Sequence, residues 1–590
     1  MQAIAFERTT LPALIRSALA VPRPDALIER VGGRWQPATS EQILERVQNV
    51  AAGLRDLGLK AGDRVALISP NRMDWIISDF GILLSGCIVV PIFPTQALDQ
   101  VSYILENSEA KAILVDTHAA AERLRTIARL PPMFVFDAQG EFSLAGLEAR
   151  GAAVRRGDPG LVALYEGRID PQDLAILIYT SGTTGQPKGV MLTHSNLAFA
   201  IASSFDYAFA DVKAGDAVLS VLPFSHIYEH MIMYGYIRNG TRYSICHGAD
   251  ELLADLQAVR PVAMTCVPRI FERVLAGIAG KAMQAGGLQA KLVPWALRVG
   301  REYMLKRIAE RTGSPWLAAQ FVLARALVLK KLRAALGLDR LKFFVSGSAP
   351  LHLDTAMTLR AAGIVIIEGY GPTECSPVIS VNRPSDNRYG TVGRPIPGVA
   401  VKIAEDGEIL VRGPNVMRGY YKNEAETAAV MKDGWYHTGD VGTLDAAGYL
   451  RITDRKKELF KTSGGKFVAP ARVESAIKRS IFVSQAMVVG ESRAHPVALI
   501  SPSWDLVRPE LGLEATLPVA ELAQRRDVRE FITREVRQRT ADLATYEQVR
   551  RVIVLPRELS IEGGELSPTL KVKRRIVEQH FASEIQHAYE

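Results

Sequence analysis

Short aliphatic runs at 64–69, 112–116, 174–179, 217–222 and 342–346, bounded by Gly, Pro or Asp and separated by stretches of helical texture, set the frame of this chain. Strands of that kind alternating with helices read as wound α/β layers. One hydrophobic core does not serve 590 residues, so more than one domain is expected. From Gly390 the texture shifts to Gly-rich short strands at 400–403, 407–412 and 449–453, which predicts a β-rich subdomain. Beyond Asp454 a smaller α+β unit is predicted, with a helix starting near Pro470, a strand near 486–490, a charged helix over 525–543 and a strand at 551–554. The domain reading is therefore 1–453, carrying a basic helical insert at about 281–340, followed by a smaller domain at 454–590.

The most apolar stretch, residues 75–93, contains Asp79, Gly81, Gly86 and Pro91 and changes character midway, which predicts a buried helix and then the strand 87–92 in place of a membrane span. Arg16 and several prolines interrupt residues 11–24, so no secretory signal is expected. Cys87, Cys246, Cys266 and Cys375 lack metal-ligand spacing and are expected as free thiols. The expected location is cytoplasmic, with peripheral attachment to the inner face of a membrane and homodimer formation left open. Between 281 and 340 twelve Lys/Arg face three acids, a surplus of nine that exceeds the +8 of the whole chain, so the basicity belongs to the insert. No aromatic-interleaved recognition motif accompanies it, and no nucleic-acid partner is expected. Within the insert Leu317, Phe321, Ala324, Val328, Leu332 and Leu336 follow helical spacing, with Arg325, Lys330, Lys331 and Arg333 elsewhere around the helix. That pattern suits either a core-facing helix with a solvated basic side or a membrane-surface site.

The strongest chemical signal is Tyr179-Thr-Ser-Gly-Thr-Thr-Gly-Gln-Pro-Lys-Gly-Val190, directly after the third run. Hydroxyls and backbone N–H groups concentrated in a Gly-rich turn suit a polyphosphate, and Lys188 adds a point charge. It is not the GxxxxGK[ST] loop, because Lys188 follows Gly185 by three and no Ser or Thr comes next.

This segment resembles the phosphate-binding signature of the adenylate-forming superfamily, which contains acyl-CoA synthetases, aryl-CoA ligases, beetle luciferases and adenylation domains. Further motifs follow in that family's order: Leu222-Pro-Phe-Ser-His-Ile-Tyr-Glu229, Ser346-Gly-Ser-Ala-Pro350, Glu368-Gly-Tyr-Gly-Pro-Thr-Glu374, Tyr436-His-Thr-Gly-Asp440 and Asp454-Arg-Lys-Lys-Glu458. The resemblance implies an acyl-CoA synthetase-like fold using ATP, Mg²⁺ and coenzyme A. It implies that Thr180, Ser181, Gly182, Thr183, Thr184, Gly185 and Lys188 hold phosphates. Gly347, Ser348 and Ala349 would wall the adenine beside Tyr370, within the motif that contributes Glu368, Gly369, Gly371 and the nucleotide contact Thr373. Glu374 would take the metal, with Thr184 as a second candidate. Asp440 would bind ribose, and Ile452 and Arg455 the nucleotide, next to a hinge at Asp454.

Lys571, in Ser567-Pro-Thr-Leu-Lys-Val-Lys-Arg-Arg575, resembles the C-terminal lysine that approaches the carboxylate and α-phosphate; Lys573 stays an alternative. His226 receives a positioning role at the acyl pocket. Lys461, Gly464 and Gly465 resemble the segment that meets coenzyme A, with Lys466 as an alternative to Lys461. The variant Lys457-Glu-Leu-Phe-Lys-Thr-Ser-Gly-Gly-Lys-Phe-Val-Ala-Pro470, together with Pro268-Arg-Ile-Phe-Glu272 and the insert, looks like the long-chain branch, so a fatty acid is the expected substrate. The rivals are a ligase for medium-chain or aromatic acids and an inactive acyl- or nucleotide-binding protein that kept the fold.

Overall fold

The structure is a computed structural model that describes residues 9–180, 186–248, 250–309, 314–456, 458–514, 516–566 and 572–590. Residues up to 402, with 410–438 and 444–451, form one compact unit; 403–409, 439–443 and 452–590 form a second.

The first unit is built on two large sheets. In one, the strands Ile88–Ile92, Arg64–Ile68, Ala112–Val115 and Met133–Val135 run parallel, and Leu174–Thr180 joins Ile88–Ile92 in parallel before turning back antiparallel into Lys188–Thr193. Every residue of Ile88–Ile92 is buried, as the run of β-branched residues requires of a strand covered on both faces. The helix Met73–Leu84 is buried at every position from Trp75 onward, so the apolar stretch is a core helix and a strand. Its buried carboxylate, Asp79, accepts from Tyr234 Oη at 2.6 Å and lies 3.0 Å from His230 Nε2, all three side chains being buried. A charge withdrawn from water needs such partners. No helix among the described residues is long and apolar enough to cross a membrane.

In the second sheet the strands Ile366–Tyr370, Phe343–Ser346, Ala263–Cys266, Ala217–Ser220, Arg242–Ile245 and Leu27–Val31 lie side by side in parallel. Sequence texture ends the Ile366–Tyr370 strand at Ile367; the structure carries it to Tyr370 because Gly369 and Tyr370 pair antiparallel with Val381 and Ser380. The insert is helical over Pro268–Ala285, Gly287–Ile308, Pro315–Ala324 and Lys330–Ala335, with a π turn at Arg325–Leu329. Its Leu317, Phe321, Ala324, Val328 and Leu336 are buried against Val299 and Met357 in one apolar cluster, so that stripe faces the core. All four cysteines are free and buried.

The second unit holds a three-stranded sheet, Val483–Val489, Val497–Pro502 and Arg551–Val554, packed under the helices Pro470–Ile477 and Arg526–Thr540 through Val473, Ile477, Val488, Ile500, Ile532 and Val536. The central strand, Val497–Pro502, is a further short aliphatic run, beside those read from the sequence above.

Candidate functional site

Motif after motif sits at the carboxyl end of a parallel strand. Leu222–Glu229 follows Ala217–Ser220; Gly347–Pro350 follows Phe343–Ser346; and Glu368–Glu374 leaves the end of the neighbouring strand. Open parallel sheets bind ligands outside these ends, where loops diverge and backbone groups are unpaired.

Gly347 is buried with Tyr228 laid against it: a Cβ there would meet the Tyr228 ring at 3.1 Å, while Tyr228 Oη donates to the Val345 carbonyl at 3.3 Å. Ser348, at φ 67°, turns outward with Ala349, both exposed. Leu351 N donates to Glu368 Oε1 at 3.3 Å, tying the end of this loop to the next motif. Burial pushes the Glu368 carboxyl up to about 7. Beyond Tyr370, Gly371 passes so close to Pro377 that only glycine fits, since a Cβ would lie 2.2 Å from the Pro377 carbonyl oxygen. Thr373–Cys375 then forms a single 3₁₀ turn ended by Ser376 at φ 57°, with Asn415 Nδ2 donating to the Val378 carbonyl at 2.7 Å.

Glu374 is reached from the other sheet. Tyr420 Oη donates to its Oε1 at 2.8 Å, and Met417 N donates to its carbonyl at 2.8 Å. Tyr420 belongs to the short strand Gly419–Tyr420, which pairs with Lys188–Thr193, Tyr420 lying opposite Val190. Thr180 and Lys188 are cross-strand partners at the mouth of the hairpin, and Lys188 Nζ donates to Glu426 at 2.6 Å while lying 5.4 Å from the Tyr420 ring centre. Burial and then Glu374 hold the Tyr420 phenol well above its ordinary value, so it stays a hydrogen-bond donor. Thus Lys188, Glu426, Tyr420 and Glu374 come together. No local pattern in the sequence signals Tyr420 or Glu426; each is found only through the strand pairing. Tyr420→Phe removes the donor to Glu374 and is expected to lower kcat/KM for ATP by several-fold, on the order of 1 kcal/mol, which pyrophosphate release would read.

Ser181, Gly182, Thr183, Thr184 and Gly185 lie outside the described residues, as does Lys571. Glu374 offers one hard carboxylate with a single oxygen engaged by Tyr420, which fits Mg²⁺, an ion commonly held by one or two carboxylates plus phosphates.

His226 caps the helix Ile227–Arg238, its Nδ1 accepting from Tyr228 N at 3.1 Å, with Phe93 edge-on at 6.5 Å. That fits positioning. Glu229, one turn on, is fully buried and accepts from Thr265 Oγ1 at 2.5 Å and Tyr243 Oη at 3.2 Å. Burial raises its carboxyl to about 7 from an ordinary 4.5, so the folded state holds the proton more tightly than the unfolded chain. Its stabilisation is complete below about 4.5 and is lost as pH rises through about 7. Glu229→Gln is expected to flatten that slope, removing about 3 kcal/mol of pH-dependent stability loss between acid and alkaline urea titrations.

In the second unit, Arg455 Nε lies 3.5 Å from Asp440 Oδ1, and Gly439, at φ 72°, donates its N–H to Glu408 at 2.9 Å. Asp440 and Arg455 are therefore neighbours, with Ile452 on the same strand, Leu450–Arg455, as Arg455. Asp454 is buried, which raises its carboxyl, and it accepts from Arg455 N at 2.8 Å. Lys461 and Phe467 are partners in a hairpin whose tip, with Gly464 and Gly465 at φ 76°, is exposed. Residues 567–571 are flanked by a bridge between Leu566 and Val572. Beside it the buried Glu565 carboxylate is held by Arg557 Nη1 at 2.7 Å and His580 Nδ1 at 3.0 Å. Although burial alone would raise it, these partners bring its pKa down to about 2. Arg574 donates to Glu474 at 2.9 Å and to the Val488 carbonyl at 3.2 Å, fixing the far side of the segment.

Residues 15–421 match the family described as AMP-binding enzyme, and 458–590 match the AMP-binding enzyme C-terminal domain. The chain is 35% identical to Long-chain-fatty-acid–CoA ligase FadD15 of Mycobacterium tuberculosis, over 96% of this chain and 95% of that protein. It is 32% identical to human Long-chain-fatty-acid–CoA ligase 1, over 93% and 82% respectively. The fold is shared with a solved structure of the anthranilate CoA ligase AuaEII in complex with anthranoyl-AMP, at a TM-score of 0.73 and 20% identity, covering 98% of both chains. Matched along both units, the chain belongs to the AMP-binding enzyme family.

Proposed function

We propose that the protein ligates a long-chain fatty acid to coenzyme A in two steps, through an acyl-adenylate. The observation that carries the reading is the gathering of Lys188, Tyr420 and Glu374 at the paired strands Leu174–Thr180 and Lys188–Thr193, in a chain whose relatives over nearly full length are long-chain-fatty-acid–CoA ligases. A carboxylate resists attack by a thiol because oxide is a very poor leaving group, and transfer of AMP supplies a good one. In the first step a carboxylate oxygen attacks the α-phosphorus; the bond to the bridging oxygen breaks and its electron pair leaves with pyrophosphate. Lys188 and Lys571 place positive charge where negative charge grows, and loops on rigid strand ends orient the partners. Bound Mg²⁺, held by Glu374 and with Thr184 as a second candidate, would offset phosphate charge.

In the second step the coenzyme A thiol gives up its proton to solvent and its sulfur attacks the acyl carbonyl; the acyl–oxygen bond breaks and AMP leaves with the bonding electron pair. The exposed Lys461–Gly465 hairpin, through Lys461 or Lys466, suits the approach of coenzyme A. Domain mobility about Asp454, between 1–453 and 454–590, is part of the proposal, since Lys571 must yield its place to the thiol. Adenine and ribose contacts fall to Gly347, Ser348, Ala349, Tyr370, Thr373, Asp440, Ile452 and Arg455.

Thioester formation with ATP, Mg²⁺ and coenzyme A across acids of graded length tests this. Turnover rising toward long chains supports it; turnover confined to aromatic or medium-chain acids, or no pyrophosphate release with any acid, overturns it.

A further inference from the structure

One face of the insert has no part in the chemistry above. The segment 315–335 buries Leu317, Phe321, Ala324 and Val328, yet its opposite side is apolar as well: Trp316 is 71% exposed, Val322 68%, Leu323 52% and Leu327 41%. Four large apolar side chains exposed within twelve residues form a patch of the kind that marks an interaction surface.

Charge identifies the use. Arg325, Lys330 and Lys331 are exposed around these side chains, and no side-chain hydrogen bond or ion pair of theirs is found among the described residues. No Asp or Glu occurs from 314 to 338. The π turn at Arg325–Leu329, closed by Lys330 N on the Arg325 carbonyl, lets Val328 and Leu329 both face the core while Leu327, Lys330 and Lys331 stay outside. Arg333 does different work, donating to the Leu338 and Leu341 carbonyls at 2.8 and 2.7 Å, and belongs to the fold. A second copy of this chain would set cations against cations on this face, so self-association through it is disfavoured.

We propose that the outward face of 315–335 docks the protein on an anionic lipid bilayer, with Trp316, Val322, Leu323 and Leu327 entering the headgroup boundary and Arg325, Lys330 and Lys331 meeting lipid phosphates. The proposal goes beyond the ligase reading and is tested without turnover.

The test is flotation of the full chain with vesicles of phosphatidylglycerol and phosphatidylcholine, against phosphatidylcholine alone. Binding is expected only with the anionic vesicles. It should fall about tenfold or more in Arg325→Gln/Lys330→Gln/Lys331→Gln and, separately, in Trp316→Ser/Leu323→Ser. Both variants alter exposed side chains, so thermal unfolding and thioester formation from detergent-dispersed acid should match the parent. Equal binding to neutral vesicles, unchanged binding in either variant, or self-association abolished by Trp316→Ser/Leu323→Ser in place of vesicle binding overturns the proposal.

Discussion

Replacing Lys571 with alanine is expected to slow pyrophosphate release from ATP and a fatty acid by about 10²–10³-fold, while transfer from preformed acyl-AMP to coenzyme A slows far less. The ammonium would act on charge that develops at the α-phosphate, and that charge has gone once the anhydride exists. The flanks of the segment are held independently of the lysine, by the Leu566–Val572 bridge, the Glu565–Arg557–His580 cluster and Arg574 on Glu474. Unfolding in urea should therefore be unchanged, which separates a chemical loss from a structural one. Lys573→Ala is the companion variant. Its backbone N–H donates to the Glu565 carbonyl at 2.7 Å, so a side-chain change leaves that link intact, and adenylation should persist. Equal loss in both half-reactions, or loss in Lys573→Ala with none in Lys571→Ala, would remove Lys571 from the assignment.

Gly371→Ala is expected to act on both stability and chemistry. The new methyl would sit 2.2 Å from the Pro377 carbonyl oxygen and 2.7 Å from Val378 Cα, backbone atoms that cannot turn aside as a flexible side chain would. Overpacking of this sort costs about 1–3 kcal/mol, read as a lower urea midpoint. The atoms that must yield directly follow the turn carrying Thr373 and Glu374 and are tied to it by Val378 N donating to the Cys375 carbonyl at 3.0 Å, and a misplacement near 1 Å can cost about 10²-fold in rate. Gly277→Ala is the control: it lies in the helix Pro268–Ala285, nothing is within 4 Å of its Cβ, and alanine there should stabilise by about 0.5–1 kcal/mol. If Gly371→Ala left both midpoint and adenylation rate unchanged, the tight approach would have no bearing on the site.

What the sequence discloses divides along the range of the interactions. Residues 75–93 resolve into the helix Met73–Leu84 and the strand Ile88–Ile92 because the break between them, at Gly86 with φ 78°, is local. The motif loops are legible for the same reason, each being a Gly-rich stretch beside an aliphatic run. Pairing at a distance is not. Glu-Gly-Tyr-Gly-Pro looks like the start of a turn, and partnership with Ser346 at Glu368 and with Val381 and Ser380 at Gly369 and Tyr370 makes Glu368–Tyr370 strand. Tyr420 stands 46 residues from Glu374, and Glu426 stands 238 from Lys188, so no spacing rule joins them. In the insert the periodicity from Leu317 to Leu336 marks the core-facing side correctly, while the π turn that shifts the outer face leaves no trace in composition.

The sequestered cysteines carry a consequence for handling the protein. Burial pushes the Cys87 thiol to about 11 and Cys246 to about 12, and holds Cys266 well above its ordinary value, so almost no thiolate of these three exists at neutral pH, and all four residues are buried. Thiol-alkylating agents thus spare these cysteines in the native chain and reach them only when its interior opens. Thiol labelling therefore becomes a clock for that opening, and a fluorophore meant to report on catalysis has to be installed on a cysteine introduced at the surface.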